Sequence, residues 1–411
     1  MDRLLGRLQH YDWGSHTALA ALRGLEPTGR PEAELWYGAH PSLPATVDRG
    51  AGPEPLDAVV SADPSSELGP AAGLRDGALP YLVKFLASDA PLSIQAHPDR
   101  ATAEAGFAAE NDADVPLDSP KRTFRDARAK PELVVAVTPF RALCGFRPVD
   151  EAIGVAAALG LPDDLMAPLR ERGPVAWSDV VARVLAGDPD GAVDALVERC
   201  NGKVTGKWTT TADLLFELSV RFPGDAALAL VPLLTEHRLE PGEALFLGPG
   251  VLHAYLGGVA VEVMAASDNV LRGGLTGKHV DVDRLVGIID PEVPATVVQR
   301  PVRGIHRYDT PAEEFSVWRL EGAGVDADDR SGPDIVVCVD GLASLSSTGA
   351  SAGARLEVPP GGAAWIPYAD GACRIHHEEW SEGLMTLLVW PAGKLIRKFN
   401  DRFARELASM F

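Results

Sequence analysis

The segment Leu92-Ser-Ile-Gln-Ala-His-Pro-Asp99 alternates apolar and polar residues along the chain. In a β-strand such alternation turns the two aliphatic side chains to one face and the polar ones, including Gln95 and His97, to the other. A neutral imidazole and an amide oxygen can converge on a divalent cation when that polar face borders a cavity. The segment therefore predicts a strand of a β-rich domain that supplies two metal ligands.

Two later segments offer further ligands. The run Lys130-Pro-Glu-Leu-Val-Val-Ala-Val137, with proline at its entrance, is typical of a buried strand and carries Glu132. Glycines and prolines divide residues 241–258 into short apolar pieces, as in a small antiparallel barrel, and one piece carries His253. Two imidazoles, a carboxylate and an amide oxygen suit zinc and also tolerate iron, cobalt or manganese. The predicted metal ligands are Gln95, His97, Glu132 and His253.

Composition excludes several classes of protein. The chain has 411 residues and a formal net charge of −20, which opposes wrapping around nucleic acid but permits a local cationic cluster to bind a small anion. Its four cysteines form no CxxC pair, which disfavours a disulfide framework. No stretch resembles a signal peptide or a membrane span. We expect a monomeric cytoplasmic protein of two or three domains.

The residue pattern changes along the chain. Residues 149–224 carry Ala, Leu and charged residues at helical spacing, which predicts a helical insertion domain. The flanking residues 1–148 and 225–300 predict a discontinuous, metal-bearing barrel domain. The rhythm of that barrel recurs later without a ligand-like His or Glu, so residues 301–411 predict a second barrel without a metal site. It ends in a predicted basic, amphipathic helix over Lys394–Phe411.

Charged residues near the return strands indicate an anion-binding site. Glu262 interrupts an apolar strand, where a carboxylate must be paired, metal-linked or functional. Arg272 and Lys278 flank a Gly-rich turn and can reach an anionic substrate, although a solvated loop is the simpler alternative. The turn is not a phosphate loop, because Arg272 stands where that motif requires its first glycine. The chain also has neither a GxGxxG motif opening a helix nor a GxSxG nucleophile elbow.

Six segments, in one order, resemble type I mannose-6-phosphate isomerase, also called phosphomannose isomerase, of the cupin superfamily. They extend through most of the chain. The matching segments are Tyr11-Asp-Trp-Gly-Ser15, Glu34-Leu-Trp-Tyr-Gly38, Ser93-Ile-Gln-Ala-His-Pro-Asp99, Lys130-Pro-Glu132, His253-Ala-Tyr-Leu-Gly257 and Ser267-Asp-Asn-Val-Leu-Arg272. The resemblance implies a mainly β fold with two cupin-type jelly-roll barrels and an α-helical domain. It also implies reversible interconversion of mannose 6-phosphate and fructose 6-phosphate through a cis-enediol.

The resemblance assigns expected roles. The family's zinc ligands fall on the four residues predicted above, with one Zn²⁺ per chain. The family's active-site arginine falls on Arg272, which is expected to stabilise the enediolate or bind substrate. The expected candidates for proton transfer are Glu262, Lys130 and Asp268, and the base among them is open. The expected substrate-binding residues are Ser93, Lys84, Tyr255 and Lys278. Some of Arg272, Lys84 and Lys278 are expected to hold the phosphate.

Two positions depart from the family pattern, and two other functions stay open. Ala129 stands where relatives often carry His, and Gly277 where they often carry Pro. Two histidines and a carboxylate also make the facial triad of an iron-dependent cupin oxygenase, although Gln95 argues against it. A sugar-phosphate-binding cupin without catalysis would have lost the base, whereas Glu262 and Lys130 are present here. Whether the reaction serves mannose breakdown or GDP-mannose supply also stays open.

Overall fold

The structure is a computed structural model that describes residues 1–187, 192–291, 297–321, 325–327, 331–348, 353–377 and 385–391. The described residues form mainly β-strands, numbered here in chain order. The strands of the first half are β1 (Asp2–Leu5), β2 (Arg7–Gln9), β3 (Glu34–Tyr37), β4 (Thr46–Asp48), β5 (Pro53–Pro55), β6 (Tyr81–Ser88), β7 (Ile94–Ala96), β8 (Glu132–Ala136), β9 (Phe140–Phe146) and β10 (Leu234–Leu239). Those of the second half are β11 (Ala244–Leu247), β12 (His253–Ala265), β13 (Leu271–Gly274), β14 (Ile305–Arg307), β15 (Ser316–Leu320), β16 (Val325–Ala327), β17 (Asp334–Asp340), β18 (Ala343–Ser347), β19 (Arg355–Val358), β20 (Ala363–Ile366), β21 (Cys373–His377) and β22 (Met385–Trp390).

Ten α-helices lie within the same described ranges, half of them between residues 149 and 221. They are α1 (Ala18–Leu22), α2 (Leu56–Ala62), α3 (Pro64–Leu68), α4 (Arg100–Asp112), α5 (Val149–Leu159), α6 (Asp163–Arg172), α7 (Trp177–Leu185), α8 (Ala192–Cys200), α9 (Thr209–Arg221) and α10 (Val282–Ile288). Gly160 ends α5 with a φ of 80°, a left-handed conformation that glycine adopts without steric cost. No helix among the described residues is long and apolar enough to cross a membrane.

The strands form three antiparallel sheets. A ten-stranded sheet contains the path β10-β9-β12-β6-β3-β2, with β7, β8, β11 and β13 joined to it. An eight-stranded sheet has the order β14-β15-β22-β17-β20-β1-β4-β5, and a four-stranded sheet has the order β16-β21-β18-β19. The first sheet carries the predicted site residues on β6, β7, β8, β12 and β13 or just beside them.

Two central strands, β6 and β12, separate the hydrophobic core from a polar cavity. They pair along their length, from Tyr81 opposite Ala265 to Ser88 opposite Gly258. Side chains alternate between two faces of a strand, so Val83 and Phe85 pack in a core shared with the eight-stranded sheet. Lys84, between them, points to the cavity instead. The same period of two places Glu262 on the cavity side of β12.

The helices α5 to α9 cover the outer side of the metal-bearing strands. Val155, Val180 and Leu215 pack in one apolar cluster with Ile94 of β7 and Leu271 of β13. Burying these aliphatic side chains removes apolar surface from water, which holds the short strands β7 and β13 in place. The helical character predicted for this part of the chain is therefore observed.

Several details differ from the sequence predictions. The strand predicted over 92–99 is shorter, because only Ile94–Ala96 pairs with neighbours and His97 follows it. Strand β1, with β4 and β5, belongs to the same sheet as strands from the last third of the chain. A boundary at residue 300 therefore does not separate the sheets, and the division into domains stays a prediction. The predicted helix Lys394–Phe411 lies outside the described residues.

Candidate metal centre and active-site cavity

Three predicted ligands meet in the interior. Glu132 begins β8 and His253 begins β12, while His97 follows β7. The Nε2 atom of His97 lies 3.2 Å from Oε1 of Glu132, and Nε2 of His253 lies 3.6 Å from Oε2 of the same carboxylate. Their candidate ligand atoms all lie within 4.8 Å of one another, and the three residues are almost fully buried. The arrangement is compact enough for one ion to contact all three.

The hydrogen bonds of both histidines leave one nitrogen ready for a metal. Nδ1 of His97 donates to the backbone oxygen of Asn269 at 2.7 Å, and Nδ1 of His253 donates to that of Val251 at 3.0 Å. Because a carbonyl only accepts, each Nδ1 carries the hydrogen and each Nε2 keeps a lone pair. Both Nε2 atoms and Oε2 of Glu132 are buried, and within the described ranges no group forms a hydrogen bond with them. These three atoms carry lone pairs and lie close together, which fits the binding of a divalent cation.

Charges around the cluster favour the protonation states that a metal needs. Burial lowers the pKa of His253 to about 4, and burial also lowers the pKa of His97, so both imidazoles are neutral at neutral pH. Burial opposes ionisation of Glu132, but Lys130 and His97 outweigh it and hold the pKa of that carboxyl well below its usual range. Nζ of Lys130 lies 3.0 Å from Oε1 of Glu132. Neutral imidazoles beside a carboxylate are the forms that bind zinc.

The fourth predicted ligand lies next to the cluster. Gln95 of β7 pairs with His253 of β12 on one side and with Arg272 of β13 on the other. Residues opposite each other in antiparallel strands turn their side chains to the same face. Gln95 and Arg272 both line the cavity beside the cluster.

The cavity measures about 580 Å³, a size that suits a small-molecule ligand. All the predicted site residues except His97 and His253 line it. Those two histidines contact Glu132, which does line it. The residues that were selected along the sequence are thus brought together in space.

One wall carries a buried network around Glu262. Nζ of Lys84 lies 3.3 Å from Oε2 of Glu262 and 3.7 Å from Oε1 of Glu34, and the hydroxyl of Tyr255 donates to Oε1 of Glu262 at 2.9 Å. Burial lowers the pKa of Lys84, but Glu34 and Glu262 outweigh it and raise that pKa, so the amine is charged. Burial and the nearby Glu132 raise the pKa of Glu262. Lys84 is therefore not a neutral base, and its charge is matched by carboxylates.

A second wall carries Asp268, which is half exposed to the cavity. Nε2 of His40 lies 3.4 Å from Oδ1 of Asp268, and Nδ1 of His40 lies 2.8 Å from the hydroxyl of Ser42. This contact with His40 lowers the pKa of Asp268. The carboxylate is therefore ionised and available to a ligand.

Sequence reasoning missed several residues of the cavity. Glu34 and Trp36 line it, yet they were noted only as part of a matching segment, and His40, which also lines it, lies two residues beyond that segment. Glu34 shows the same signal as Glu262, a carboxylate in a short apolar strand, which could have revealed it. Arg125 also lines the cavity but lies in a polar loop with no pattern to single it out.

Comparison with known proteins shows which class of protein this chain resembles. Residues 1–149 match the family model described as the catalytic domain of type I phosphomannose isomerase. The mannose-6-phosphate isomerases of Shigella flexneri and Escherichia coli K12 are each 38% identical over 381 residues, which cover 89% of this chain and 94% of theirs. The fold, the site and these relatives thus place the chain in the class of metal-dependent sugar-phosphate isomerases.

Solved structures agree with this assignment. A phosphomannose isomerase mutant from Salmonella typhimurium superimposes with a TM-score of 0.86 at 32% identity, covering 95% of this chain and 99% of that one. A zinc-bound mannose 6-phosphate isomerase superimposes with a TM-score of 0.84 at 31% identity, with the same coverage. The chain belongs to the type I mannose-6-phosphate isomerase family.

Proposed function

We propose that this chain reversibly converts D-mannose 6-phosphate to D-fructose 6-phosphate and uses one Zn²⁺. The observation that carries the proposal is the buried His97–Glu132–His253 cluster at the wall of a cavity that holds both proton-transferring groups and cations. Mannose-6-phosphate isomerases from two bacteria are similar to it over most of its length. Zinc is present in two similar solved structures.

The proposed metal ligands are His97, Glu132, His253 and Gln95. When bound, zinc polarises sugar oxygens and stabilises negative charge that develops on them. Lys130 holds the Glu132 carboxylate through its contact with Oε1, with Oε1 towards His97 and Oε2 towards His253. The chain itself thus keeps the Glu132 carboxylate ionised and the two imidazoles neutral, which are the forms that bind the metal.

Isomerisation of an aldose removes the proton from C2 to give an enediol, and a proton is then added at C1 to give the ketose. We propose Glu262, Lys130 and Asp268 as the candidates for this transfer, because all three line the cavity and carry a titratable atom there. Lys84 and Tyr255 both contact Glu262, so they orient its carboxylate. Ser93, which also lines the cavity, is proposed to bind the sugar.

Arg272 and Lys278 are the proposed anion-binding residues. Both line the cavity, and Arg272 lies beside Gln95 on the neighbouring strand. A guanidinium close to the proposed metal site suits both an enediolate oxygen and a phosphate. Lys84 is less suited to phosphate, because two carboxylates already match its charge.

We further propose that the two larger parts of the β structure are cupin-type jelly rolls. Apolar clusters inside the metal-bearing strands and inside the strands of the C-terminal third support two barrels. Helices α5 to α9 form the proposed insertion. Because β1, β4 and β5 pair into the C-terminal sheet, we propose to extend the second barrel to include them. A monomeric state stays a prediction.

The test is a coupled assay that follows conversion of mannose 6-phosphate to fructose 6-phosphate. We expect chelation to abolish turnover, zinc to restore it, and His253→Ala to lose both activity and bound zinc. His10→Ala is the matched control, because His10 is exposed and lies outside the cavity. Absence of turnover in the zinc-loaded wild type would contradict the proposal and favour a binding protein. Oxygen consumption with iron would favour the oxygenase alternative.

A second assay selects the base. Exchange of the C2 hydrogen with deuterated water reports proton abstraction directly. The assay compares Glu262→Gln, Lys130→Met and Asp268→Asn. We expect the exchange to be abolished only in the variant that replaces the base itself. The other two variants should retain slow exchange. Bound zinc is measured in Lys130→Met, because Lys130 also contacts the proposed ligand Glu132.

A further inference from the structure

The loop at residues 125–128 is fastened to the rest of the site by one buried amide. The side chain of Asn269 is fully buried. Its Oδ1 accepts hydrogen bonds from the backbone N–H of Arg125 at 2.7 Å and of Asp126 at 3.3 Å. Its Nδ2 donates to the backbone oxygens of Asp126 at 2.9 Å and Arg128 at 2.8 Å. An amide is required for this arrangement, because it donates and accepts at the same time.

The same residue reaches the proposed metal centre. The backbone oxygen of Asn269 accepts the hydrogen bond from Nδ1 of His97. Its neighbours strengthen the attachment of the loop, since the Ser267 hydroxyl and the Asp268 N–H both donate to the carboxylate of Asp126. The position of the loop is therefore set relative to His97.

The loop brings one more cation to the cavity, beside Arg272 and Lys278. The side chain of Arg125 lines the cavity together with Arg272 and Lys278. Proximity to Arg125 contributes to the lowered pKa values of Arg272 and Lys278, after burial, so the three charges repel one another. None of the three has an ion pair with a carboxylate in the described part of the chain. By contrast, Lys84 and Lys130 are paired with carboxylates in the same cavity.

Cations that converge without a protein counter-ion leave room for an anionic ligand with several oxygens. We infer that Arg125 binds the phosphate of the substrate together with Arg272 and Lys278, and that Asn269 is the positioning residue that holds Arg125 there. The inference rests on the proposed function for the identity of the substrate. It assigns two residues that the motifs did not select for this role.

Inorganic phosphate is the probe, because it separates anion binding from turnover. Calorimetric titration of the zinc-loaded full chain gives the dissociation constant for phosphate, and steady-state kinetics gives KM and kcat. We expect Arg125→Ala to weaken phosphate binding about tenfold and to raise KM for mannose 6-phosphate more than it lowers kcat. Arg125→Lys should recover part of the affinity, because the charge remains.

Arg128→Ala is the matched control. Arg128 belongs to the same loop, but its guanidinium contacts Asp76 at 3.4 Å and does not line the cavity. We expect its phosphate affinity and KM to equal those of the wild type. An equal loss in both arginine variants would mean a general effect of net charge and would overturn the inference.

Asn269→Ala tests the positioning role. We expect it to weaken phosphate binding as Arg125→Ala does. The double variant Arg125→Ala/Asn269→Ala should bind phosphate little worse than either single variant, because each change removes the Arg125 guanidinium from its position in the cavity. Its bound zinc should be retained, because the backbone oxygen that contacts His97 is unchanged. A lower melting temperature with unchanged phosphate affinity would show a structural role only and would overturn the positioning claim.

The two proposals fail separately. Wild-type affinity for phosphate in Arg125→Ala overturns the inference, even if the wild type turns over mannose 6-phosphate. Absence of turnover in a wild type that binds phosphate through Arg125 overturns the proposed function and leaves the anion site intact. If Asn269→Ala does not fold, the exposed Arg125 still decides whether the phosphate assignment holds.

Discussion

Replacement of Tyr255 by phenylalanine tests whether Glu262 acts in its ionised form. The Tyr255 hydroxyl donates a 2.9 Å hydrogen bond to Oε1 of Glu262, and both side chains are buried. A hydrogen bond to a charged group contributes about 1.5–3 kcal/mol. Since one pKa unit corresponds to about 1.4 kcal/mol, its loss should raise the pKa of Glu262 by roughly 1–2 units.

The sign follows from the form that the bond stabilises. A donor stabilises the carboxylate over the carboxylic acid, so its removal makes the group harder to ionise. If turnover needs ionised Glu262, the acid limb of the kcat/KM profile should move to higher pH by about one unit or more. Activity at high pH should change less.

The assay is the pH dependence of kcat/KM in the coupled reaction. Tyr308→Phe serves as the control, because its hydroxyl donates to the backbone oxygen of Gly242 at 2.6 Å in the core, away from the cavity. The control should lose stability and keep the wild-type acid limb. An acid limb in Tyr255→Phe that coincides with that of the wild type would refute the role of ionised Glu262.

Three further predictions concern stability. Arg122→Met breaks a buried 3.0 Å ion pair with Glu110 and should lower the free energy of unfolding in urea by about 3 kcal/mol. An unchanged urea midpoint would contradict this prediction. In zinc-free protein, the unfolded chain protonates His253 below pH 6.5, whereas the folded chain does so only near 4. Stability should therefore fall as pH drops between these values, by at most about 3 kcal/mol, and this term should vanish in His253→Gln. Gly274→Ala places a Cβ 2.1 Å from the side chain of Ala227 at a φ of +115° and should destabilise the fold by about 2 kcal/mol or more. In the control Gly277→Ala, the new Cβ meets no described atom within 4 Å, so stability should not change. Similar melting temperatures for the two variants would contradict this prediction.

The local signals in the sequence predicted some parts of the structure well. Helix α4 begins after Asp99, whose carboxylate accepts from the N–H of Thr102 at 2.7 Å, and an Asp at the N-cap favours a helix start from its local sequence alone. The apolar run after Pro131 forms the buried strand β8, and helices α7 and α8 lie where helical spacing indicated them. These features depend on neighbours in the chain, so the sequence carries them directly.

Other parts depended on distant residues. The ends of β7 are decided by its partners β12 and β13, and for this reason alternation overestimated its length. The place of β1 in the C-terminal sheet depends on pairing with β20, which is more than 350 residues away along the chain and leaves no local pattern. Domain boundaries drawn from composition could not include such a pairing.

For the site, the sequence by itself determined the chemistry of the donors: two imidazoles, a carboxylate and an amide, with acids and cations at spacings typical of one family. Only the tertiary structure decided how these groups act on each other. It matched the charge of Lys84 with Glu34 and Glu262, and it gave Asn269 its hydrogen bonds to the loop. Among the described residues, it left Arg125 without a carboxylate partner. The physical reason is that side-chain identity is local, whereas burial and Coulomb interactions depend on distances in space that the fold alone sets.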